Sequence, residues 1–239
     1  MADFLKIIQQ RRSSRVPLNP NRPVSKEKLR QILEAARWAP TAHNMQNFEI
    51  LVVDDKEVLD KIGKIKSRVS EAFIRENYQQ LSFSEEELLQ KKVGILGTNF
   101  PQDWRDPAKL DKAVRNSAPS PLNQRIRGSP LLLIVIYDST KRAPASEGDV
   151  LGFIGLGCVM ENMWLTAQSL GISVHILSAF SGEAVEKEVK QILNIPQYMK
   201  IAFAMRLGYP VSKPTKQLRV RRDIEMLTHH NGFGNKGFS

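Results

Sequence analysis

The chain has 239 residues, of which 41% are hydrophobic and 25% are charged, and its formal net charge is +10 at pH 7. This length is sufficient for one well-formed core, and no linker, repeat or low-complexity block divides it, so a single domain over residues 1–239 is expected. The only cysteine, Cys158, excludes an internal disulfide framework and favours a reducing compartment. The first residues lack the pattern of a signal peptide, so a cytoplasmic protein is expected.

The basic charge favours anionic partners, although charge alone governs association and not fold. Binding of nucleic acid requires a basic stripe with aromatic residues placed for stacking, or a recognisable reading module. The sequence shows neither feature, so no nucleic-acid partner is expected. A basic, non-enzymatic binding protein for nucleic acid or another polyanion remains the alternative to an enzyme.

The first third of the chain predicts two helices and a strand. Asp3 is a suitable cap for a first helix, which ends at the basic residues 11–15. Three prolines then exclude regular structure until Ser25, the predicted cap of a second helix that Pro40 stops. After a short loop, residues 48–53, which are apolar except for Glu49, are typical of a buried strand.

The middle of the chain is charged and then irregular. Residues 57–92 have a helical pattern, in which Ser84 and Glu87 form a capping box. Residues 94–128 are the least regular, as is typical of lids and binding loops. Residues 60–130 are therefore expected to be a variable insertion of helices and loops.

The second half alternates strands and helices and ends in a tail. The predicted elements are strands at 131–137, 172–177 and 200–207, helices at 150–170, 181–193 and 223–227, and a tail at 228–239. With the strand at 48–53, this order predicts an α+β or mixed α/β fold with a sheet of about four strands.

The predicted helix at 150–170 is the longest nearly uncharged run in the chain. Its apolar residues occupy more than one stripe, as in a helix that is buried on most sides. A transmembrane span is the competing interpretation. Because Glu161 and Asn162 lie in the middle of the run, we prefer a central helix covered by its own domain and by a second copy of the chain. No membrane partner is expected.

The sequence lacks the common motifs of self-sufficient catalysis. It contains no G-x-x-x-x-G-K phosphate loop, no G-x-G-x-x-G turn and no G-x-S-x-G elbow. The four histidines do not form a zinc spacing with Cys158. No metal and no catalytic side chain are therefore predicted, and a bound cofactor is the simplest source of chemistry. Trp38 and Trp164 are expected in the core.

Four motifs occur in a specific order along the chain. They are R-R-S-x-R at residues 11–15, A-R-W-A-P-T-A-x-N-x-Q at 36–46, E-N-M-W-L-T-A-Q-S-L-G-I at 161–172, and L-G-Y-P at 207–210 with arginines downstream. The guanidinium forks and hydroxyl of the first motif suit a phosphate or a polyol. Together the motifs resemble the FMN-dependent nitroreductase family, from about Leu5 to Leu227.

The resemblance implies an α+β fold with a mixed, largely antiparallel sheet, and an interlocked homodimer with two FMN molecules at its interface. The residues that match the family's motif for the FMN phosphate and ribityl chain are Arg11, Arg12, Ser13 and Arg15, with Arg219 and Arg221 closing on the phosphate. The residues that match the loop supplied by the partner chain are Pro40, Thr41, Ala42 and Asn44, with Gln46 as a further polar contact. Ser178 and Ala179 match the lining of the flavin ring.

The resemblance also implies a redox activity. NADH or NADPH would reduce FMN, and a nitroaromatic, a quinone or a free flavin would then enter the same slot as acceptor, in a ping-pong mechanism. The protein would contribute positioning and electrostatics, and no side chain need be an obligatory acid or base. Phe100 and Trp104 are candidates for gating the acceptor.

Overall fold

The computed structural model describes residues 4–67, 71–76, 82–91, 94–96, 102–115, 122–144, 147–212 and 219–236. Internal contacts divide the chain into two compact units. The first unit comprises Met1–Ser67 and Ser120–Pro214, and the second comprises Arg68–Pro119 and Thr215–Ser239. Asp3 and Phe100 lie outside the described residues, and a single domain over residues 1–239 stays a prediction.

The described part of the chain contains helices and strands in alternation. The α-helices are α1 (Phe4–Gln10), α2 (Lys26–Arg37), α3 (Lys56–Gly63), α4 (Glu71–Glu76), α5 (Glu85–Lys91), α6 (Pro107–Arg115), α7 (Leu122–Arg127), α8 (Val150–Ser169), α9 (Glu183–Leu193) and α10 (Ile224–Leu227). The strands are β1 (Phe48–Val53), β2 (Ser82–Phe83), β3 (Ile95–Leu96), β4 (Leu131–Asp138), β5 (Ser173–Ile176) and β6 (Met199–Gly208). The predicted strands of the first unit are confirmed to within one residue at each end. The burial predicted for the strand at 48–53 is wrong, because β1 lies at an edge of the sheet and only Val53 in it is buried.

A four-stranded sheet in the order β1-β4-β6-β5 organises the first unit, and every pair in it is antiparallel. This confirms the predicted α+β architecture and the size of the sheet. β4 is central, and its first six residues are buried. Strands that are covered on both faces consist of almost continuous apolar residues, which explains the unbroken run in the sequence.

Each face of the sheet carries its own hydrophobic cluster. Successive side chains of a strand point to opposite faces. Accordingly, Leu132 and Ile134 of β4 join one cluster, which contains residues of α3, α7 and α9. Leu131 and Leu133 join the other, which contains residues of α2 and α8. The sheet is therefore covered by helices on both sides.

Helix α8 is partly buried within its own chain. Its residues Val159, Met163 and Ala167 are fully buried against the sheet and α2. The helix is long and apolar enough to span a membrane, but 39% of its most apolar stretch is buried inside the chain. The first turns instead expose Phe153 (52%) and Ile154 (57%). One chain thus supplies only part of the burial that the sequence predicts for this helix.

Two of the predicted helix caps, at Ser25 and Ser84, are present. Ser25 Oγ accepts from the backbone N–H of Lys28 at 3.4 Å at the start of α2. In the second unit, the backbone N–H of Ser84 donates to Glu87 Oε2 at 2.9 Å, and the backbone N–H of Glu87 donates to Ser84 Oγ at 3.1 Å. The capping box before α5 is therefore confirmed.

Candidate functional site

The basic motif follows α1 and runs beside the edge of the sheet. Its residue Ser13 forms a parallel bridge with Val174 of β5. The backbone N–H of Ser14 donates to the carbonyl oxygen of Val174 at 2.8 Å. The segment therefore adds a short, ordered edge to the sheet next to β5, and this pairing determines which of its side chains face outward.

Arg11 is directed onto α8. Its Nε lies 3.3 Å from Glu161 Oε1, and the centre of its guanidinium lies 4.4 Å from the ring centroid of Trp164. The ion pair lacks good hydrogen-bond alignment, since Arg11 Nε has no hydrogen-bond partner among the described residues. Contact with a carboxylate and an indole ring makes Arg11 an anchor between the basic motif and α8.

The remaining residues of the motif form a donor set that fits a phosphate group. Arg12 and Arg15 are exposed, and Ser13 is half-buried. Within the described part of the chain, Arg12 forms no ion pair or hydrogen bond. Guanidinium forks and a hydroxyl are the groups that recognise phosphate oxygens through charge-assisted bonds. Three of the predicted contacts to the FMN phosphate and ribityl chain therefore lie together on one segment.

A buried arginine beneath this segment was not predicted from the sequence. Arg206 is 1% exposed, and its side chain leaves β6 toward the basic motif. Its Nη2 donates to the carbonyl oxygens of Ser14 at 3.0 Å and Val16 at 2.9 Å, and its Nη1 donates to that of Arg125 at 3.4 Å. Among the described residues, no carboxylate lies within ion-pair distance of it. Burial, followed by the charge of Arg125, lowers its pKa to about 10, so it stays protonated at neutral pH.

His175 completes this buried network. It lies directly opposite Arg206 in the register of β5 and β6, and its Nδ1 is 3.3 Å from Nε of Arg206. Burial, with the neighbouring charges of Arg125, Arg206 and Arg15, lowers its pKa to about 3. The imidazole is therefore neutral at physiological pH and accepts a hydrogen bond from the guanidinium. The sequence signal for the pair is a polar side chain inside each of two otherwise mainly apolar strands.

The loop after α2 has a constrained backbone. It contains a 3-10 turn at Ala42–Asn44, and His43, Asn44 and Gln46 have φ values of 49°, 54° and 44°. Non-glycine residues rarely adopt positive φ, and such strain is concentrated at functional sites. Gln46 Nε2 donates to Asn44 Oδ1 at 2.8 Å, and the backbone N–H of Gln46 donates to Thr41 Oγ1 at 3.2 Å. These bonds hold the polar groups of the loop in one arrangement.

The same loop packs on α8 at a glycine. A Cβ atom at Gly155 would lie 3.4 Å from Thr41 Cα and 3.5 Å from the carbonyl oxygen of Pro40. The glycine thus permits close approach of the loop backbone to the helix. Gly155 precedes Glu161, the partner of Arg11, by six residues, which corresponds to about 9 Å along a helix axis. Within one chain, the loop and the basic motif therefore contact α8 on different turns.

The prediction that Trp38 belongs to the core is wrong. Its side chain is 73% exposed, because it follows the last turn of α2, and its Nε1 donates to Glu34 Oε1 at 2.8 Å on the outer face of that helix. Trp38 also lines an open cleft together with Arg37, Ala39, Asn44 and Gln46. Trp164, by contrast, is 7% exposed and lies in the core as predicted.

The other predicted contacts are distributed between the two units. Ser178 and Ala179 begin a 3-10 turn at Ser178–Ser181, immediately after the strand that Ser13 joins. Arg219 and Arg221 belong to the second unit, where Arg221 Nη1 donates to the adjacent carbonyl oxygen of Val220 at 2.8 Å. The roles of these four residues in cofactor binding stay predictions.

Comparisons with known proteins show the family of the chain. Residues 8–209 match the model of the Nitroreductase family. An NADPH-dependent oxidoreductase of Staphylococcus aureus (strain USA300) is 21% identical over 213 residues, which are 89% of this chain and 68% of that relative.

Two solved structures resemble the whole chain. An FMN-dependent nitroreductase from Clostridium difficile R20291 has 18% identity and a TM-score of 0.59, covering 96% of this chain and 99% of its own. An oxidized iodotyrosine deiodinase bound to FMN and 3-iodo-L-tyrosine has 19% identity and a TM-score of 0.61, covering 97% and 100%. At these identities the likeness establishes a shared fold.

Proposed function

The chain belongs to the nitroreductase family, and we propose that it is an FMN-dependent oxidoreductase that carries hydride from NADH or NADPH to a small-molecule acceptor. The observation that carries this proposal is the basic motif beside β5, where Arg12, Ser13 and Arg15 stand on one ordered segment. The names of the relatives in Staphylococcus and Clostridium support the nicotinamide donor and the flavin.

We assign the FMN phosphate and ribityl chain to this segment. Arg12 and Arg15 would bind phosphate oxygens, and Ser13 would donate a hydroxyl hydrogen bond. We propose a different role for Arg11, because its contacts with Glu161 and Trp164 anchor the segment to α8. The proposal that Arg219 and Arg221 also bind the phosphate rests on the resemblance of the sequence alone.

We further propose that the active form is a homodimer in which the loop at residues 40–46 serves the partner's cofactor. The loop and the basic motif meet α8 on different turns of the same chain, which favours two separate FMN sites. Exposed apolar residues also surround this region, including Phe4 (64%) and Leu5 (56%) of α1 and Ile154 (57%) of α8. Apolar surfaces of this kind are typical of protein interfaces.

The mechanism follows from what each group can supply. Bound FMN supplies hydride acceptance and donation, which allows the nicotinamide and a nitroaromatic, quinone or flavin acceptor to react in turn, in a ping-pong order. The chain would hold the phosphate with the basic motif, would line the flavin ring with Ser178 and Ala179, and would shape the entrance for both substrates. The net charge of +10 favours arrival of the anionic nicotinamide cofactor. A cytoplasmic location is proposed, consistent with a single free cysteine.

An absorbance spectrum of the purified protein tests the proposal. We expect flavin bands at about one FMN per chain, either as purified or after FMN is added, and bleaching under anaerobic NADPH or NADH. A protein that binds no FMN contradicts the proposal. In that case, oligonucleotide binding with a steep dependence on salt would favour the basic binding protein instead.

A further inference from the structure

We propose that Arg206, supported by His175, is a positioning residue for the cofactor. It fixes the backbone of residues 14–16 from the buried side of the segment, so that Arg12, Ser13 and Arg15 are held in place for the FMN phosphate. The inference rests on the proposed function, because it concerns the same binding segment. It adds a buried contributor that does not itself touch the cofactor.

The hydrogen bonds of Arg206 act on two alternate peptide groups. A single nitrogen, Nη2, donates to the carbonyl oxygens of Ser14 and Val16 at 3.0 and 2.9 Å. In an extended segment, carbonyl groups two residues apart point to the same side. Both peptide planes are therefore fixed, and Arg15, which lies between them, is held with its side chain exposed. The other contacts of the segment lie at its ends and along its edge: Arg11 on α8, the pairing with Val174, and the hydrogen bond from the backbone N–H of Val211 to the carbonyl oxygen of Pro17.

Fold stability alone does not account for a cation at position 206. Its neighbours in β6, Met205 and Leu207, are fully buried apolar residues. A buried guanidinium without a carboxylate carries a large desolvation cost, and apolar residues often replace buried charges without loss of stability. Lys190, the other cation that is buried among the described residues, differs in this respect, because its Nζ lies 3.2 Å from Glu186 Oε1. Two of the four hydrogen bonds of Arg206 are directed instead at the segment that carries the donor set, and the others go to Arg125 and His175.

His175 directs the guanidinium without neutralising it. A carboxylate at this position would cancel the positive charge beneath the segment, whereas the neutral imidazole accepts from Nε at 3.3 Å and leaves the charge in place. Arg125 and Arg15 lie near the same network and raise the local positive potential further. Oriented cations in a site of low polarity favour a dianionic ligand such as a phosphate monoester.

The test compares Arg206→Met with Lys190→Met, since each variant removes one buried cation from the same unit. FMN affinity is measured by titration of flavin fluorescence at a temperature where both variants are folded. We expect the FMN dissociation constant to rise at least tenfold in Arg206→Met and less than twofold in Lys190→Met. The ³¹P resonance of bound FMN should also shift in Arg206→Met, and saturating FMN should restore wild-type kcat, because Arg206 acts on binding and not on the reaction.

Two further variants decide the question if Arg206→Met does not fold. Arg206→Lys keeps the charge but loses the planar fork, and His175→Phe removes the acceptor at similar size. We expect each to raise the FMN dissociation constant severalfold. Wild-type affinity in a folded Arg206→Met, or in both Arg206→Lys and His175→Phe, overturns the inference while the proposed function stands. Failure of the wild-type protein to bind FMN overturns the proposed function and this inference with it.

Discussion

Arg206 and His175 face each other across β5 and β6, with Nε of the guanidinium 3.3 Å from Nδ1 of the imidazole. Arg206 also joins β6 to the segment that carries the proposed phosphate donors, because its Nη2 donates to the carbonyl oxygens of Ser14 and Val16. The charged guanidinium and the imidazole can stay in contact at this buried site only while the imidazole is unprotonated.

This relationship predicts that the protein loses stability in acid. The pKa of His175 is about 3 in the folded chain and near 6.5 when unfolded, because burial and the charges of Arg125, Arg206 and Arg15 disfavour the imidazolium. Between these values the unfolded chain binds a proton that the folded chain does not. The free energy of unfolding should therefore fall as the pH decreases from 6.5 toward 3, by up to about 1.4 kcal/mol per pH unit from this group.

Urea unfolding at several pH values between 7 and 4.5 measures this effect. The variant His175→Phe should have a shallower dependence on pH than the wild type. The exposed His230 offers a matched control, and His230→Gln should keep the wild-type dependence. Equal slopes in the wild type and His175→Phe would show that His175 is not responsible.

The exposed arginine of the basic motif gives a prediction about the cofactor. Arg12→Ala should weaken FMN binding by about tenfold to a hundredfold, because it removes a charge-assisted hydrogen bond worth about 1.5–3 kcal/mol. Its free energy of unfolding without FMN should change by less than about 0.5 kcal/mol, since the side chain forms no polar contact within the described structure. Arg30→Ala on the exposed face of α2 is the control for loss of one positive charge. Unchanged flavin occupancy in Arg12→Ala would argue against its proposed role.

Arg11 should behave differently from its neighbour. Its guanidinium contacts Glu161 and the ring of Trp164, and its side chain is 24% exposed. Arg11→Ala should therefore lower the free energy of unfolding by about 1 kcal/mol even in the absence of FMN. Urea unfolding of the apoprotein, in parallel with Arg12→Ala, provides the comparison. Equal stability of the two variants would be inconsistent with an anchoring role for Arg11.

Gly155 allows the loop to approach α8, so its substitution should depend on size. Gly155→Ala places a Cβ 3.4 Å from Thr41 Cα, at the edge of ordinary contact, and should change stability by less than about 1 kcal/mol. Gly155→Leu must displace the loop or the helix and should cost about 1–3 kcal/mol. Thermal unfolding of both variants measures the difference. If the Gly155→Leu protein were as stable as Gly155→Ala, the loop could move away from α8 without a loss of stability.

The proposed dimer predicts which site each loop serves. In a mixed dimer that carries Asn44→Ala in only one chain, the weakened FMN site should be the one formed by the basic motif of the other chain. Combining Asn44→Ala with Arg12→Ala in the same chain would damage both sites once each, whereas placing the substitutions on different chains would damage one site twice and leave the other intact. FMN titration of the two mixed dimers distinguishes these outcomes, and identical titrations would contradict a shared site.

Much of the architecture could be predicted because local patterns determine it. The strand at Phe48–Val53 and the central strand that begins at Leu131 are mainly apolar and of strand length, and the caps at Ser25 and Ser84 satisfy backbone groups only a few residues away. Such interactions depend on neighbours along the chain, so one sequence suffices to find them. Trp38 was expected in the core, but it lies one residue beyond the end of α2 and its side chain is exposed. Local patterns therefore do not predict every buried residue.

The basic motif, with Arg12 and Ser13, was recognisable from the sequence because its residue types and spacing are chemically distinctive. The tertiary structure alone decided that Arg11 turns onto α8 and that Arg206 supports the motif from below. Arg206 follows Ser14 by 192 residues, and only the register of β5 and β6, together with the pairing of Ser14 to Val174, brings these groups together. A buried polar contact depends on how distant elements pack, and that geometry is set by the whole core and not by any local pattern.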